Sequence, residues 1–344
     1  MTPVVTPITL SANTATTRGQ DPGWVNPLVH EADVSIDQQL PGNIGVSGSW
    51  VFSRALHLPA FTDGNLGQTT ATKTYTYPGG GTFTVPFYSS ANRLNATGPI
   101  LTGRSVVNSL YNSFVLNVRK RLQHGIEFAV NYTLSKAEDD GQVAGQFGTF
   151  NGTDYTVDPY NQKGMWGLSD LDQRHRFSAN FVWKPDFAQH WSNKAGKLLV
   201  NGWVLAGIFT AASGQPITGL ISGTPAGAID GGLTGGMVNN SGTSPSTYQD
   251  PSVPRNFYAG PGYWDIDARV SREFTIKERF KLSLVGEAFN LLNHTNILGV
   301  NTTQYSLGTG TTTLSPVATF LTPTTTSNGL VGARQLQISG RISF

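Results

Sequence analysis

Cysteine is absent from all 344 residues, which excludes disulfides and thiolate metal sites. Charge is scarce too: Asp, Glu, Lys and Arg make up 13% of the chain, against roughly 25% in soluble domains. The net charge of +2, from 23 basic and 21 acidic residues, is too small for the electrostatic footprint of a nucleic-acid binder. Long hydrophobic runs are missing. The longest, Trp203–Ala212, is interrupted by Gly207 and Thr210, and a membrane helix needs ~20 apolar residues. The first twenty residues, MTPVVTPITLSANTATTRGQ, contain neither a basic n-region nor an apolar h-region, so no signal peptide is legible there. If this chain enters a membrane, it does so as strands.

Catalytic signatures are lacking as well. No Gly-x-Ser-x-Gly, Walker or His-Glu-x-x-His arrangement occurs, and His124, His175 and His294 stand in separate turns. Neither a catalytic set nor a metal or other cofactor is therefore expected.

What the chain does contain is period-two alternation. At the C-terminus Leu336, Ile338, Gly340, Ile342 and Phe344 share one face, while Gln335, Gln337, Ser339, Arg341 and Ser343 share the other. The same pattern runs from Ile126 to Ser135 and from Trp264 to Phe274, with further matches beginning near Ala32, Ile44, Tyr111, Arg176, Val200 and Phe280. This predicts an all-β fold of about nine to ten long meander strands, each long enough to cross a membrane while tilted. Short turns at residues 40–43, 121–125 and 276–278 alternate with long Gly-, Thr- and Ser-rich stretches at 59–108, 137–172, 214–262 and 293–330. A longer connection, 184–197, takes a short-turn place. Outer-membrane barrels have this alternation of short periplasmic turns and long extracellular loops.

A soluble β-sandwich would also alternate. Three features argue against it: the strand length, charges in mid-strand (Glu127, Arg269, Glu287), and aromatics near strand ends. Trp50, Phe52, Phe177, Trp183, Trp203 and Trp264 read as girdles at the two membrane interfaces. Arg119, Glu127, Arg269, Lys281 and Glu287 fall on the opposite, lumen-facing positions, where wall-to-wall contacts and a solute path are both open readings. Phe344, with Ile342, Ile338 and Leu336, reads as the terminal aromatic signal recognised by the barrel insertion machinery.

Several blocks carry a family resemblance. These are Asp33–Ile44 with its QLPGN turn, SRALHLP at 53–59, YNSFVLNVRKR at 111–121, NYTLSK at 131–136, GLSDLDQRHRF at 167–177, SGQPI at 213–217 and EAFNLLNH at 287–294. Together they resemble the barrel of TonB-dependent receptors of the Oar-like type, which carry a carboxypeptidase-regulatory-like domain and a plug before the barrel. The resemblance implies energy-coupled import of a bulky solute, with outer-membrane lipid and an extracellular solute as partners. It implies contact with the TonB complex only through a plug, which is absent from 1–344. Against a family barrel of roughly 22 strands, residues 29–344 read as its C-terminal part, with 1–28 irregular or holding one extra strand. An odd strand count would start the first strand outside the cell, and a truncated gene is the simpler reading. A structural or adhesive barrel and an ungated porin are the alternatives.

Within GLSDLDQRHRF, Asp170, Asp172, Arg174, His175 and Arg176 read as an ion-paired latch where a loop enters a strand, since one His among scattered carboxylates lacks metal-ligand spacing. The pair Asp139-Asp140 reads as a solvated loop start. The aromatics Phe147, Phe150, Tyr155, Tyr160 and Trp166 in the following loop could stack on a ligand or on one another.

Overall fold

The computed structural model describes residues 17–95, 100–141, 160–185, 190–193, 196–197, 200–225, 233–234, 237–238, 247–277, 280–326 and 332–344. Nine long strands dominate it. They are β1 (Leu28–Leu40), β2 (Ile44–Asp63), β3 (Ile100–Gln123), β4 (Ile126–Asp139), β5 (His175–Trp183), β6 (Trp203–Ala212), β7 (Tyr263–Lys277), β8 (Phe280–Phe289) and β9 (Gln335–Ser343). Each pairs antiparallel with the next in chain order, giving an uninterrupted meander.

Register converts the alternation into two faces, because directly opposed residues point the same way. Val34, Trp50, Phe114 and Leu134 form one row across β1–β4. Phe181, Gly207, Ala268, Ala288 and Leu336 form another across β5–β9. On the reverse face Glu127, Val182, Ala206, Arg269, Glu287 and Gln337 share a row. The apolar face is bare: Val34, Ile36, Phe114, Phe181 and Val270 are exposed, and Ile338 and Phe344 reach 89% and 96%. So much uncovered apolar surface on a water-soluble sheet would be an aggregation hazard. In hydrocarbon it is the required exterior. β1 and β9 are exposed at every residue, and among the described residues neither has a strand on its outer side. The sheet is therefore an open barrel wall.

One end of the wall is tight and the other elaborate. β3 and β4 join through His124-Gly125, both at positive φ (53° and 76°) between paired Gln123 and Ile126, the mirror-image turn that suits strand twist. Gly42 and Asn43 supply positive φ (80° and 59°) at the β1–β2 turn. At the opposite end, β2 and β3 run beyond their expected limits. Pro59 was placed at a loop start and Asn108 at a loop end, yet β2 continues to Asp63 and β3 begins at Ile100. A bulge near His57 (φ 59°) shifts the register between Ala55 and Pro59, and a bulge breaks the alternation that would reveal the strand's continuation.

The long connections form a folded cap. A hairpin, Thr72–Thr76 with Thr82–Pro86, comes from the β2–β3 connection. A four-stranded sheet combines Thr247–Gln249 and Leu220–Gly223 of the β6–β7 connection with Thr303–Leu307 and Leu314–Pro316 of the β8–β9 connection. Tyr75, Val85, Ile221, Met237, Tyr248, Leu307 and Leu314 bury one another there. Each such side chain contributes about 1.5–3 kcal/mol when fully buried. A short strand, Thr17–Gln20, lies parallel to the start of β3. Of the stretch 1–28, expected to be irregular or to hold one extra strand, residues 1–16 lie outside the described residues.

The two turn glycines should respond differently to alanine. A Cβ on Gly42 meets open space, whereas one on Gly125 overlaps the Lys184 carbonyl. Gly42→Ala should cost about 1 kcal/mol from positive φ alone, and Gly125→Ala at least twice that, measured by urea unfolding of the chain folded in detergent micelles.

Candidate functional site: the loop cap and its roots

Three of the four long connections, β2–β3, β4–β5 and β8–β9, are rooted beside a carboxylate that accepts a backbone N–H. Asp63 accepts from the N–H groups of Asn65 and Ile100, both at 3.0 Å, and pairs with Arg93 at 2.7 Å. Asp140 accepts from Asn108 N–H at 2.6 Å, Asp172 from Ala137 N–H at 2.6 Å, and Asp267 from Asn290 N–H at 2.9 Å. A strand leaving its ladder exposes amides that need acceptors, and a short carboxylate meets that need strongly. Asp140 is buried, correcting its reading as a solvated residue, and burial pushes its carboxyl pKa up.

The ion pairing expected within 170–176 is replaced by pairing with a cation from another loop. Among the described residues, neither Arg174 nor Arg176 ion-pairs with Asp170 or Asp172. Arg255, reached from the β6–β7 connection, bridges Asp139 and Asp170 instead and donates to the Met165 and Asp139 carbonyls. Its side chain is only 3% exposed. Asn256, next in the chain, donates to the Leu168 carbonyl and to Asp170. His175 hydrogen-bonds Tyr132 through Nδ1 at 2.8 Å, and its N–H donates to Ser213 Oγ. The chain turns at 169–172, where the Asp172 N–H donates to the Ser169 carbonyl, and the cation that meets Asp170 comes from another loop. Sequence spacing carried no sign of Arg255, which stands 85 residues from Asp170.

Inside the cap, Tyr77 donates to Asp250 Oδ1 at 2.6 Å, and Ser252 donates to the same oxygen from N–H and Oγ. Tyr258 donates to Gln304 at 2.9 Å. Burial pushes the Tyr75 phenol up to about 12 and raises Tyr77 as well. Of the loop aromatics, Tyr160 stacks on Tyr88 at 6.5 Å and donates to the Leu66 carbonyl, and Trp166 is partly exposed. Phe147, Phe150 and Tyr155 lie outside the described residues.

The remaining site residues fall on the faces their alternation gave them. All six girdle aromatics stand on the apolar face. Phe177 and Trp264 stand toward the cap and Trp183 and Trp203 toward the short turns, whereas Trp50 and Phe52, expected near a strand end, stand mid-strand because β2 continues to Asp63. Trp50 and Phe52 stack at 5.9 Å, and Trp203 packs 4.9 Å from the Arg272 guanidinium. Arg119, Glu127, Arg269, Lys281 and Glu287 stand on the polar face. Arg269 lies 3.6 Å from Glu287, and Lys281 3.1 Å from Glu273; pairs this open contribute little stability. Leu336, Ile338, Ile342 and Phe344 remain exposed on edge strand β9 and its end.

Two outcomes follow from these roots. Arg255→Met should destabilise the cap by about 3 kcal/mol, the low end of the range for breaking a buried pair because both carboxylates keep some water access. Faster hydrogen exchange across 160–172 is the readout. Because unfolded tyrosine ionises near 10 and folded Tyr75 near 12, the unfolded chain loses its proton first as pH rises. Cap stability should therefore fall between these values, seen as delayed tyrosine ionisation in an ultraviolet titration.

Residues 2–337 match the family described as Outer membrane beta barrel domain. No curated protein matches the chain. Among solved structures it is similar to the outer membrane transporter YddB from Escherichia coli (TM-score 0.47, 10% identity, covering 93% of this chain and 33% of that one). It is also similar to the ferripyoverdine receptor of the outer membrane of Pseudomonas aeruginosa (0.44, 11%, 92% and 27%) and to the copper transporter OprC (0.39, 8%, 96% and 34%). The chain spans about a third or less of the YddB and ferripyoverdine-receptor chains. A bare apolar face, a polar reverse face, short turns at one end and a folded cap at the other agree with the family match: the chain belongs to the outer membrane beta barrel domain family and is part of an outer-membrane barrel wall.

Proposed function

We propose that this chain supplies wall and extracellular cap to a TonB-dependent outer-membrane receptor that imports a bulky solute. The observation that carries the reading is the cap. Three of the four long connections build one packed core on a single end of the wall, and a structure of that size at a barrel mouth suits capture of a ligand rather than free passage. The motif blocks support it from a second side. The QLPGN block holds the positive-φ turn at Gly42 and Asn43. In EAFNLLNH, Asn290 and Asn293 adopt positive φ, and Asn290 brackets the His294 backbone from both sides.

In this reading residues 29–344 are barrel strands and loops, and coupling to the inner-membrane motor runs through a plug on another part of the receptor. The two aromatic bands sit at the membrane interfaces. The polar row containing Arg269 and Glu287 faces the lumen, Asp170 and Asp172 hold the outer-rim loop through Arg255 and Ala137, and Phe344 with its alternate apolar residues addresses the insertion machinery. An ungated porin is disfavoured because an unpaired strand edge is not tolerated in hydrocarbon, and among the described residues β1 and β9 are such edges.

The reading frame upstream of Met1 is the direct test. An in-frame plug and energy-coupling segment is expected, and an immediate upstream stop codon would sink the proposal for this chain. Deleting Phe344 should lower the amount recovered in outer-membrane fractions several-fold, scored by immunoblot; an unchanged level removes its signalling role.

A further inference from the structure

At the seam between two cap loops and the start of β5 lies a cavity of about 180 Å³. Leu168, Asp172, Arg174, Phe257 and Tyr258 line it, along with residues of the 213–216 and 259–260 segments. Its charged groups differ in commitment. Asp172 is buried and its Oδ1 is taken by the Ala137 N–H. Arg174 is only partly exposed, and among the described residues its guanidinium meets no carboxylate. The Phe257 ring is 59% exposed, although its neighbour Tyr258 packs edge-on against it and against Phe320. Gly214 and Gly260 pack so closely that a Cβ on either would overlap the facing segment's backbone, so the two segments that carry them are held tightly together.

A half-buried guanidinium, with five donors and a planar fork, is strongly suited to binding a carboxylate. An exposed phenyl ring beside it suits an aromatic group, and a space of ~150 Å³ is enough to take a benzene ring. We propose that this cavity binds an aryl carboxylate, an anionic aromatic group of the solute, with Arg174 taking the carboxylate and Phe257 the ring. The assignment rests on the reading of the cap as a capture site and adds the chemical class captured. Asp172 sets the selectivity: its charge weakens any anion that does not reach Arg174 directly, and Arg174 repels cations drawn to Asp172.

The test uses the purified chain in detergent micelles with benzoate, benzyl alcohol and benzylamine as probes, followed by calorimetry. Benzoate should bind about tenfold or more tightly than benzyl alcohol. Arg174→Gln should abolish that preference, Arg174→Lys should keep part of it, and Phe257→Ala should weaken benzoate and benzyl alcohol alike. Equal binding of the three probes, tighter binding of benzylamine, or an Arg174→Gln variant that keeps the preference would each overturn the assignment. Among the described residues the Arg174 side chain makes no hydrogen bond or ion pair, and unchanged hydrogen exchange across 160–172 confirms that each variant is folded. Because binding is read without any import step, absence of an upstream plug would defeat the receptor reading while leaving the cavity's measured preference intact.

Discussion

Backbone hydrogen bonding in hydrocarbon is the constraint on which this protein depends. An amide without a partner costs several kcal/mol where no water can reach it, so each strand crossing the membrane must be paired along its length. β2 through β8 satisfy this on both sides, by antiparallel ladders that follow chain order. The same requirement explains the aspartates at the loop roots. Where Asn65, Ile100, Asn108, Ala137 and Asn290 leave or flank a ladder, a carboxylate replaces the missing carbonyl.

Stability in the wall and in the cap has different sources. The apolar face of the wall gains nothing from mutual burial, since Val34, Phe114 and Ile338 point outward and stay exposed. Its order comes from the ladders and from the lipid around it. The cap behaves as a small water-soluble domain, with Tyr75, Ile221 and Tyr248 fully buried and polar groups paired within it. Arg255 ties the two regimes together, reaching from the β6–β7 connection to the end of β4 and the loop before β5. Fixing that junction orients the loops around the cavity that holds Arg174.

Local periodicity made the wall legible. A strand with one lipid face and one aqueous face must alternate, and the six aromatics read as girdles stand on one face while the five charges stand on the other. The turns were equally readable, because positive φ at Gly42, Asn43 and Gly125 demands particular residues. Less could be read at the long-loop end. The continuation of β2 past His57 was hidden by a bulge, which shifts the pattern by one residue. The pairing of Asp170 with Arg255 was hidden by the 85 residues between them.

The amino-acid sequence by itself therefore determined the strands, their two faces, their order and the short turns, because each follows from interactions between residues a few positions apart or between consecutive strands. Tertiary structure alone decided that the long connections fold into one core, which carboxylate meets which cation at the loop roots, and that Arg174 and Phe257 line one cavity. Those outcomes depend on contacts between segments from separate loops, and no short-range pattern encodes which distant segments will meet.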